Sequence, residues 1–430
     1  MSERGMSEQR APDRETSYGA PRGTYDKLPP KSRRWDAVMR LALDMFADAG
    51  YELVIMPTFE HTEVFLRGVG QESDVVVKQM YTFQDRGDRS LTLRPEGTAG
   101  VMRAALEHKL DRGPLPVKLC YAGPMFRQER PQRGRYREFY QVGIEALGAE
   151  GPMIDAEVIE IGHRYLDTVG IEPAVLLNSL GHPSSECRQG YLRELTSFLI
   201  EHENELAPED RARIRSNPLR TFDSKEEKTL KVLEDAPLLS GYLCGSCRAH
   251  FEAVQQHLDD VGVPFTLDPR LVRGLDYYTR TAWEYVSGGL RSQNAVGGGG
   301  RYDGMAEVLG GDHLPGIGFA LGLDRILMVT EGREAPPGRV RVYVVTLGEE
   351  AAREGFKLAS RLRSRGIGCD LDHSGRAMKG QMKDAARSGA RWAVILGSDE
   401  LGTGEATVRD LDSGHQERVP LADVEGRVSR

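Results

Sequence analysis

The chain has 430 residues, a formal net charge of −8, 39% hydrophobic and 28% charged residues. That length predicts two or three domains with a sizeable core. No apolar run of about 18 residues occurs, so no membrane-spanning helix is expected. The acidic total argues against blanket nucleic-acid binding but leaves room for a local basic patch.

Residues 1–21 are expected to form a disordered lead-in. The first 27 residues hold five acids and five bases and no apolar stretch, unlike a secretory leader. With five cysteines, an odd count, this places the chain in a reducing, cytoplasmic compartment. After Pro29-Pro30, Trp35, Val38, Ala42, Met45, Phe46 and Ala49 recur at helical spacing up to Gly50. Glu52 to Met56 reads as a strand ended by Pro57. Residues 80–83 and 90–93 read as a hairpin around Asp-Arg-Gly-Asp-Arg. Arg94-Pro95-Glu96-Gly97-Thr98 breaks the pattern and caps a helix beginning near Ala99.

Val117 to Ala122 is a strand that leads into FRQERPQRGRYREF, residues 126–139. Its five arginines outweigh Glu129 and Glu138 by three charges. Pro131 and Gly134 punctuate it as a turn. Beyond the turn the sequence alternates with period two, so Arg137, Phe139, Gln141, Gly143 and Glu145 share one strand face. Arg, Gln and Glu on one face describe the floor of a polar site better than a core.

Residues 153–169 form an amphipathic helix, and about 184–262 a mostly helical stretch. Strands return at 264–268, 281–287 and 293–297. Residues 317–329 read as a buried helix with Gly318 and Gly322 one turn apart. Pro336-Pro337-Gly338 marks a linker. A strand over 340–347, a helix over 350–365, a strand over 367–372, a helix over 376–388 and a strand over 391–396 then form an α/β unit with parallel strands.

Four segments carry chemistry. Arg127 and Arg135 suit phosphate oxygens through paired guanidinium N–H groups, and Glu129 either orients Arg127 or accepts from an adenine amino group. LVRGLDYYT, residues 271–279, sets Arg273 beside Tyr277 and Tyr278. The glycine-rich loop Gly297-Gly298-Gly299-Gly300-Arg301-Tyr302-Asp303-Gly304 is a weak dinucleotide fingerprint, since no strand-glycine-helix unit surrounds it. Its glycines instead permit close backbone approach to a ligand. Arg325, a cation on an apolar helix, invites an anion. Cys244-Gly-Ser-Cys247 has a metal-like spacing, yet no second pair follows, His250 is the only near ligand type, and Cys187 joins only through folding. The cysteines therefore read as core residues, His182 and His313 as structural or surface residues, and no metal is fixed by the protein alone.

Together these segments resemble the bacterial type of histidyl-tRNA synthetase over nearly the whole chain, from Arg22-Gly23-Thr24-Tyr25-Asp26 onward. FRQERPQRGRYREF is similar to the second signature motif of class II aminoacyl-tRNA synthetases. GIGFALGLDR, residues 316–325, is similar to the third, and residues 29–57 to the first. LVRGLDYYT and GGGRYDG resemble the two histidine-specific signatures. The resemblance implies an α+β catalytic domain over 22–335, an antiparallel sheet flanked by helices, with a helical insertion near 184–262. An α/β anticodon-binding domain over 338–430 follows, and the subunits pair as a homodimer. It implies that ATP, with Mg2+, activates L-histidine as histidyl-adenylate, and that the histidyl group then passes to the 3′ end of tRNA(His). Arg127 and Arg273 are the implied catalytic residues. Glu96, Gly97, Thr98, Arg127, Gln141, Glu145, Arg273, Tyr277 and Tyr278 are implied to bind histidine, and Arg127, Glu129, Arg135 and Arg325 to bind ATP. The tRNA acceptor end falls to Arg130, Gln132 and Arg133. A buried isolated carboxylate is costly, so Glu145 is expected to find its partner in the substrate imidazole. The alternative function is a catalytically inactive paralogue, the regulatory subunit of ATP phosphoribosyltransferase. That paralogue typically lacks the LVRGLDYYT segment and the anticodon domain.

Overall fold

A computed structural model describes residues 19–70, 73–184, 186–287 and 295–429. Most of the predicted lead-in, and residues 293–294 of a predicted strand, lie outside them. The chain divides after Arg333 into two compact units.

The first unit contains β1 (Glu52–Leu53), β2 (Phe59–His61), β3 (Tyr81–Gln84), β4 (Ser90–Leu93), β5 (Val117–Phe126) and β6 (Glu138–Leu147). It continues with β7 (Ala174–Ser179), β8 (Phe265–Leu267), β9 (Thr279–Val286), β10 (Ala295–Arg301) and β11 (Gly316–Gly322). Strands β2, β4 and β3 make a small antiparallel sheet, and the other eight lie in the order β1-β5-β6-β11-β10-β9-β7-β8. The interior of that large sheet is antiparallel, as expected, while each edge pair, β1 with β5 and β7 with β8, is parallel.

Period-two alternation sends β6 side chains to two different cores. Val142, Ile144 and Ala146 pack with Trp35 and Phe46 of the helix Lys31–Asp48 and with Val158, Ile159 and Tyr165 of the helix Pro152–Thr168. Tyr121, Met125 and Leu147 pack on the opposite face with Met102 of the helix Thr98–Glu107, and with Tyr302 and Met305. Gln141 and Glu145 of β6 belong to this second face. Helices Arg188–Glu201, Glu227–Leu233 and Gly245–Asp260, with four shorter helices between them, fill most of the predicted helical stretch.

Two expectations are corrected. Residues 317–322 belong to strand β11, and the helix is only Leu323–Val329. The reason is contact across the sheet: Gly318 pairs with Glu145, and a Cβ on Gly318 would stand 1.8 Å from Glu145 Oε2. The small residue clears a carboxylate in a strand, not a helix partner. Likewise Gly297 to Gly300 form the central strand β10, not a loop. A Cβ on Gly298 would meet Arg273 Nη1 at 2.9 Å, and one on Gly300 would meet the Tyr278 ring at 2.5 Å. The glycines admit the protein's own site residues.

The second unit holds β12 (Val342–Thr346), β13 (Cys369–Leu371), β14 (Trp392–Leu396), β15 (Glu405–Asp410) and β16 (Gln416–Pro420). Strands β13, β12 and β14 are parallel, as read from the sequence, and β15 and β16 add an antiparallel edge. Helices Glu349–Ser364 and Met378–Ser388 connect the parallel strands. Among the described residues no helix is long and apolar enough to cross a membrane.

Candidate active site

One cavity of about 430 Å³ opens on the second face of β6. Glu96, Thr98, Arg127, Glu129, Arg135, Gln141, Arg273, Tyr277, Tyr278 and Arg325 all line it. Distant stretches of sequence thus meet in one place.

The loop before the helix Thr98–Glu107 supplies the first group. Glu96 accepts the amide N–H of Thr98 and of Ala99, each at 2.8 Å, which satisfies two otherwise orphaned donors at the helix start. Burial raises the pKa of this carboxyl. Gly97 does not line the cavity; its bare Cα lets the Tyr121 ring sit where a Cβ would be 2.5 Å away.

The arginine hairpin supplies the second group. Arg127 donates from Nε to the Pro95 carbonyl at 2.9 Å and its guanidinium lies 5.2 Å from the Phe139 ring centre. Burial lowers its pKa, so the cation is poorly solvated and suited to an anion. Arg135 pairs with Glu129 at 3.2 Å, and Arg325 donates to the carbonyls of Gly134 and Ala295. Arg137 turns away from the cavity to the carbonyls of Glu129 and Arg22. Arg130, Gln132 and Arg133 are exposed at the tip, where Arg133 meets Glu331 at 2.7 Å.

The third group is Arg273, Tyr277 and Tyr278. Arg273 forms a short ion pair with Glu284 of β9, and its guanidinium lies 5.8 Å from the Tyr278 ring centre. Two buried polar atoms of cavity-lining residues have no protein partner: Arg273 Nε, a donor, and Gln141 Oε1, an acceptor. Buried polar atoms are rarely left so. Arg273 Nε can donate to, and Gln141 Oε1 accept from, a molecule in the cavity.

Glu145 differs from its expectation. It is fully buried, but it does not line the cavity and it is not without partners. Thr98 Oγ1 donates to it at 2.7 Å, Tyr121 donates at 3.4 Å, and the Tyr302 hydroxyl donates to its other oxygen. Burial nevertheless raises its pKa from 4.5 to about 8. Sequence reasoning missed Tyr121 and Tyr302; only the second stood in a motif already singled out.

Arg301 of the glycine-rich segment is also fully buried and faces away from this cavity. It pairs with Asp155, which also accepts from His250 Nε2 at 2.8 Å and Thr281 Oγ1 at 2.6 Å. His250 is thereby committed to Asp155 and is no partner for Cys244 and Cys247. Those two thiols instead gather with His182 and Cys187. Cys187 and Cys247 belong to a hydrophobic core cluster with Cys244 packed against it, as read from the sequence, and what the sequence does not show is that His182 joins them. A further cavity of about 660 Å³ is lined by His182, Arg188, Asp276, Arg280 and Asp303. Tyr277 alone among the predicted residues reaches it.

The carboxylates that line the active-site cavity are Asp74, held by Lys78 and Arg213, Glu96 by amides, Glu129 by Arg135, Asp223 by Arg220, Glu284 by Arg273, and Asp324 by Tyr25 and the Tyr140 amide. These six make no cage of free oxygens for a hard cation.

A family model described as histidyl-tRNA synthetase matches residues 23–186 and 189–326, and one described as an anticodon binding domain matches 341–430. A histidine–tRNA ligase of Corynebacterium kroppenstedtii is 49% identical over 420 residues, covering 96% of this chain and 98% of the relative. One from Moorella thermoacetica is 50% identical, over 94% of this chain and 96% of the relative. The crystal structure of apo Staphylococcus aureus histidyl-tRNA synthetase matches with a TM-score of 0.81 at 35% identity, over 96% of this chain and all of that one.

Proposed function

The chain belongs to the histidyl-tRNA synthetase family, and from that premise we propose how its residues divide the work. The protein is a histidine–tRNA ligase that consumes ATP. Its regulatory paralogue is not favoured, because the relatives matched over nearly the full chain are ligases and the C-terminal domain is present.

In the first half-reaction a carboxylate oxygen of histidine attacks the α-phosphorus of ATP, and the bond to pyrophosphate breaks. In the second, a hydroxyl of the terminal tRNA ribose attacks the activated carbonyl and AMP leaves. Phosphoryl transfer needs positioning and charge neutralisation rather than covalent chemistry from the protein. Arg127 and Arg273 are assigned to the α-phosphate and the substrate carboxylate, and Arg325 to the terminal phosphate. Glu129 and Arg135 seat the nucleotide. Glu96, Thr98 and Gln141 take the α-ammonium group. Tyr277 and Tyr278 take the imidazole, with Glu145 behind them, reaching the ligand through the hydroxyls it holds or after they turn aside. Magnesium, when bound, neutralises phosphate charge. It would be held chiefly by phosphate oxygens, as suits an ion that keeps few protein ligands, with Glu129 and Glu284, which line the cavity, as candidates to exchange an arginine for it.

Arg130, Gln132 and Arg133 are assigned to the acceptor end, and residues 338–430 to the anticodon. The homodimer would form through the segment from β1 to the start of β2, where Leu53, Ile55 and Phe59 are exposed, Ile55 by 87%. Three large apolar side chains exposed within seven residues support a docking surface there.

The observation that carries this reading is the orphaned pair, Gln141 Oε1 and Arg273 Nε, in the cavity that Arg127 and Arg135 of the hairpin also line. Gln141→Ala tests it. The Michaelis constant for histidine should rise at least about tenfold, the scale of one lost hydrogen bond to a charged group, while that for ATP stays within about twofold. An unchanged histidine constant would move the amino-acid pocket elsewhere.

A further inference from the structure

One cluster of chemically potent side chains takes no part in the site above. His182, Cys187, Cys244 and Cys247 come from the two ends of the helical insertion, yet their ligand atoms all lie within 4.8 Å of one another. His182 Nδ1 is 3.0 Å from Cys247 Sγ and 3.6 Å from Cys244 Sγ. Sulfur and nitrogen ligands around tetrahedral zinc stand roughly 3.5–3.8 Å apart, from bond lengths of about 2.3 and 2.0 Å. Closing the cluster on such an ion therefore needs only small side-chain movements.

The local structure assembles the set. Cys244 is the residue before the helix Gly245–Asp260 and Cys247 lies in its first turn, so a short Cys-x-x-Cys step presents both thiols at one end. Cys187 precedes the helix Arg188–Glu201 in the same way. Gly181 holds φ +59°, and a Cβ on it would stand 2.7 Å from Cys187 Sγ. A side chain there would be strained and would crowd that thiol. Cys187 and Cys247 are buried, while His182 and Cys244 are half-buried at the edge.

A disulfide fits this arrangement less well than a metal. It would use two thiols and leave a third beside an imidazole, and none of the cysteines is bridged. Plain core cysteines need no histidine converging on them. Three thiolates and one imidazole are a soft set that selects zinc over magnesium or calcium. Four protein ligands leave no open position, which is the mark of a structural site.

We propose that His182, Cys187, Cys244 and Cys247 bind one Zn2+ ion in a closed structural site that ties together the two ends of the helical insertion. The site also bears on the pocket, a consequence that rests on the assignment of Tyr278 to histidine binding. Arg188, next to Cys187, donates from Nε to the Leu180 carbonyl at 2.8 Å and from Nη2 to the carbonyl of Tyr278. Fixing the segment around Cys187 fixes Tyr278.

The test uses full-length protein freed of any histidine tag. Elemental analysis should give one zinc per chain, released in step with titration of thiols by an organomercurial. Cobalt should replace it and show thiolate charge-transfer and tetrahedral visible bands. Cys244→Ser, at the exposed edge, should keep a native circular dichroism spectrum and lose most of the metal. Zinc removal should raise the histidine Michaelis constant severalfold and leave that for ATP unchanged. Protein with five titratable thiols that carries no zinc and takes up no cobalt would overturn the proposal. So would a mapped Cys244–Cys247 disulfide in freshly purified protein. The wild-type cobalt spectrum decides the matter even if the variant fails to fold. A bound zinc whose removal leaves histidine binding unchanged would retain the site and refute only its link to Tyr278.

Discussion

Glu145→Gln separates the electrostatics of the buried carboxyl from its shape. The partners of Glu145 are the hydroxyls of Thr98, Tyr121 and Tyr302, not an arginine or lysine. Burial outweighs these bonds and pushes its pKa from 4.5 to about 8. The folded chain therefore keeps a proton that the unfolded chain has lost over that interval. Its stabilising contribution is complete below about pH 4.5 and is lost as pH rises through about 8. At about 1.36 kcal/mol per unit the full swing is on the order of 5 kcal/mol. The slope is at most about 1.4 kcal/mol per pH unit. Glutamine never ionises and lacks this slope. Denaturant unfolding of both proteins at about pH 5.5 and 7.5 should show the wild type losing roughly 2–3 kcal/mol relative to the variant. Other titrating groups cancel in the difference, and Glu96→Gln serves as the control for the neighbouring raised carboxyl. Parallel profiles would refute the reasoning, because they would mean that Glu145 is ionised in the fold throughout.

Arg273→Ala should lower the rate of adenylate formation at least about 10²-fold, as loss of a transition-state charge partner commonly does, with an unchanged circular dichroism spectrum; near-normal pyrophosphate exchange would remove Arg273 from the chemistry. Gly318→Ala places a Cβ 1.8 Å from Glu145 Oε2 and 2.4 Å from the Ile144 carbonyl, and should cost about 3 kcal/mol or more. Gly241→Ala, with nothing within 4 Å, should be close to neutral in the same denaturation assay. Deleting residues 338–430 should spare histidine activation and greatly weaken tRNA charging; a truncated protein that charges as well as the full chain would show that the tail does not read the tRNA.

Local pattern exposed the hairpin, the alternating face of β6 and the parallel part of the second unit, because each is written in spacing between neighbours. The helix expected over 317–329 begins only at Leu323, because the apolar residues of 317–322 lie in a buried strand and show no period of their own. The pairing of Gly318 with Glu145 across the sheet is what distinguishes the two. Gly297 to Gly300 mislead for a related reason: glycine runs suggest loops, yet here Arg273 and Tyr278 lie against the strand and need the space. Strand β15, the edge strand β16 and the inner strand β7 are not among the predicted strands, although β15 alternates buried and half-buried residues. Tyr121 and Tyr302 reach Glu145 from 24 and 157 positions away. The metal-type cluster was half visible as Cys-x-x-Cys; its other half, His182 and Cys187, lies far earlier in the chain, and only folding joins them.

Amino-acid-dependent ATP–pyrophosphate exchange by the full-length protein, measured with each of the standard amino acids in turn, tests the role of this cavity most directly. Histidine alone should support exchange, since a cavity with polar groups fixed for an imidazole leaves them unpaired with any other side chain. A folded protein that gives no exchange with histidine, or exchanges equally well with another amino acid, would contradict the assignment of this cavity.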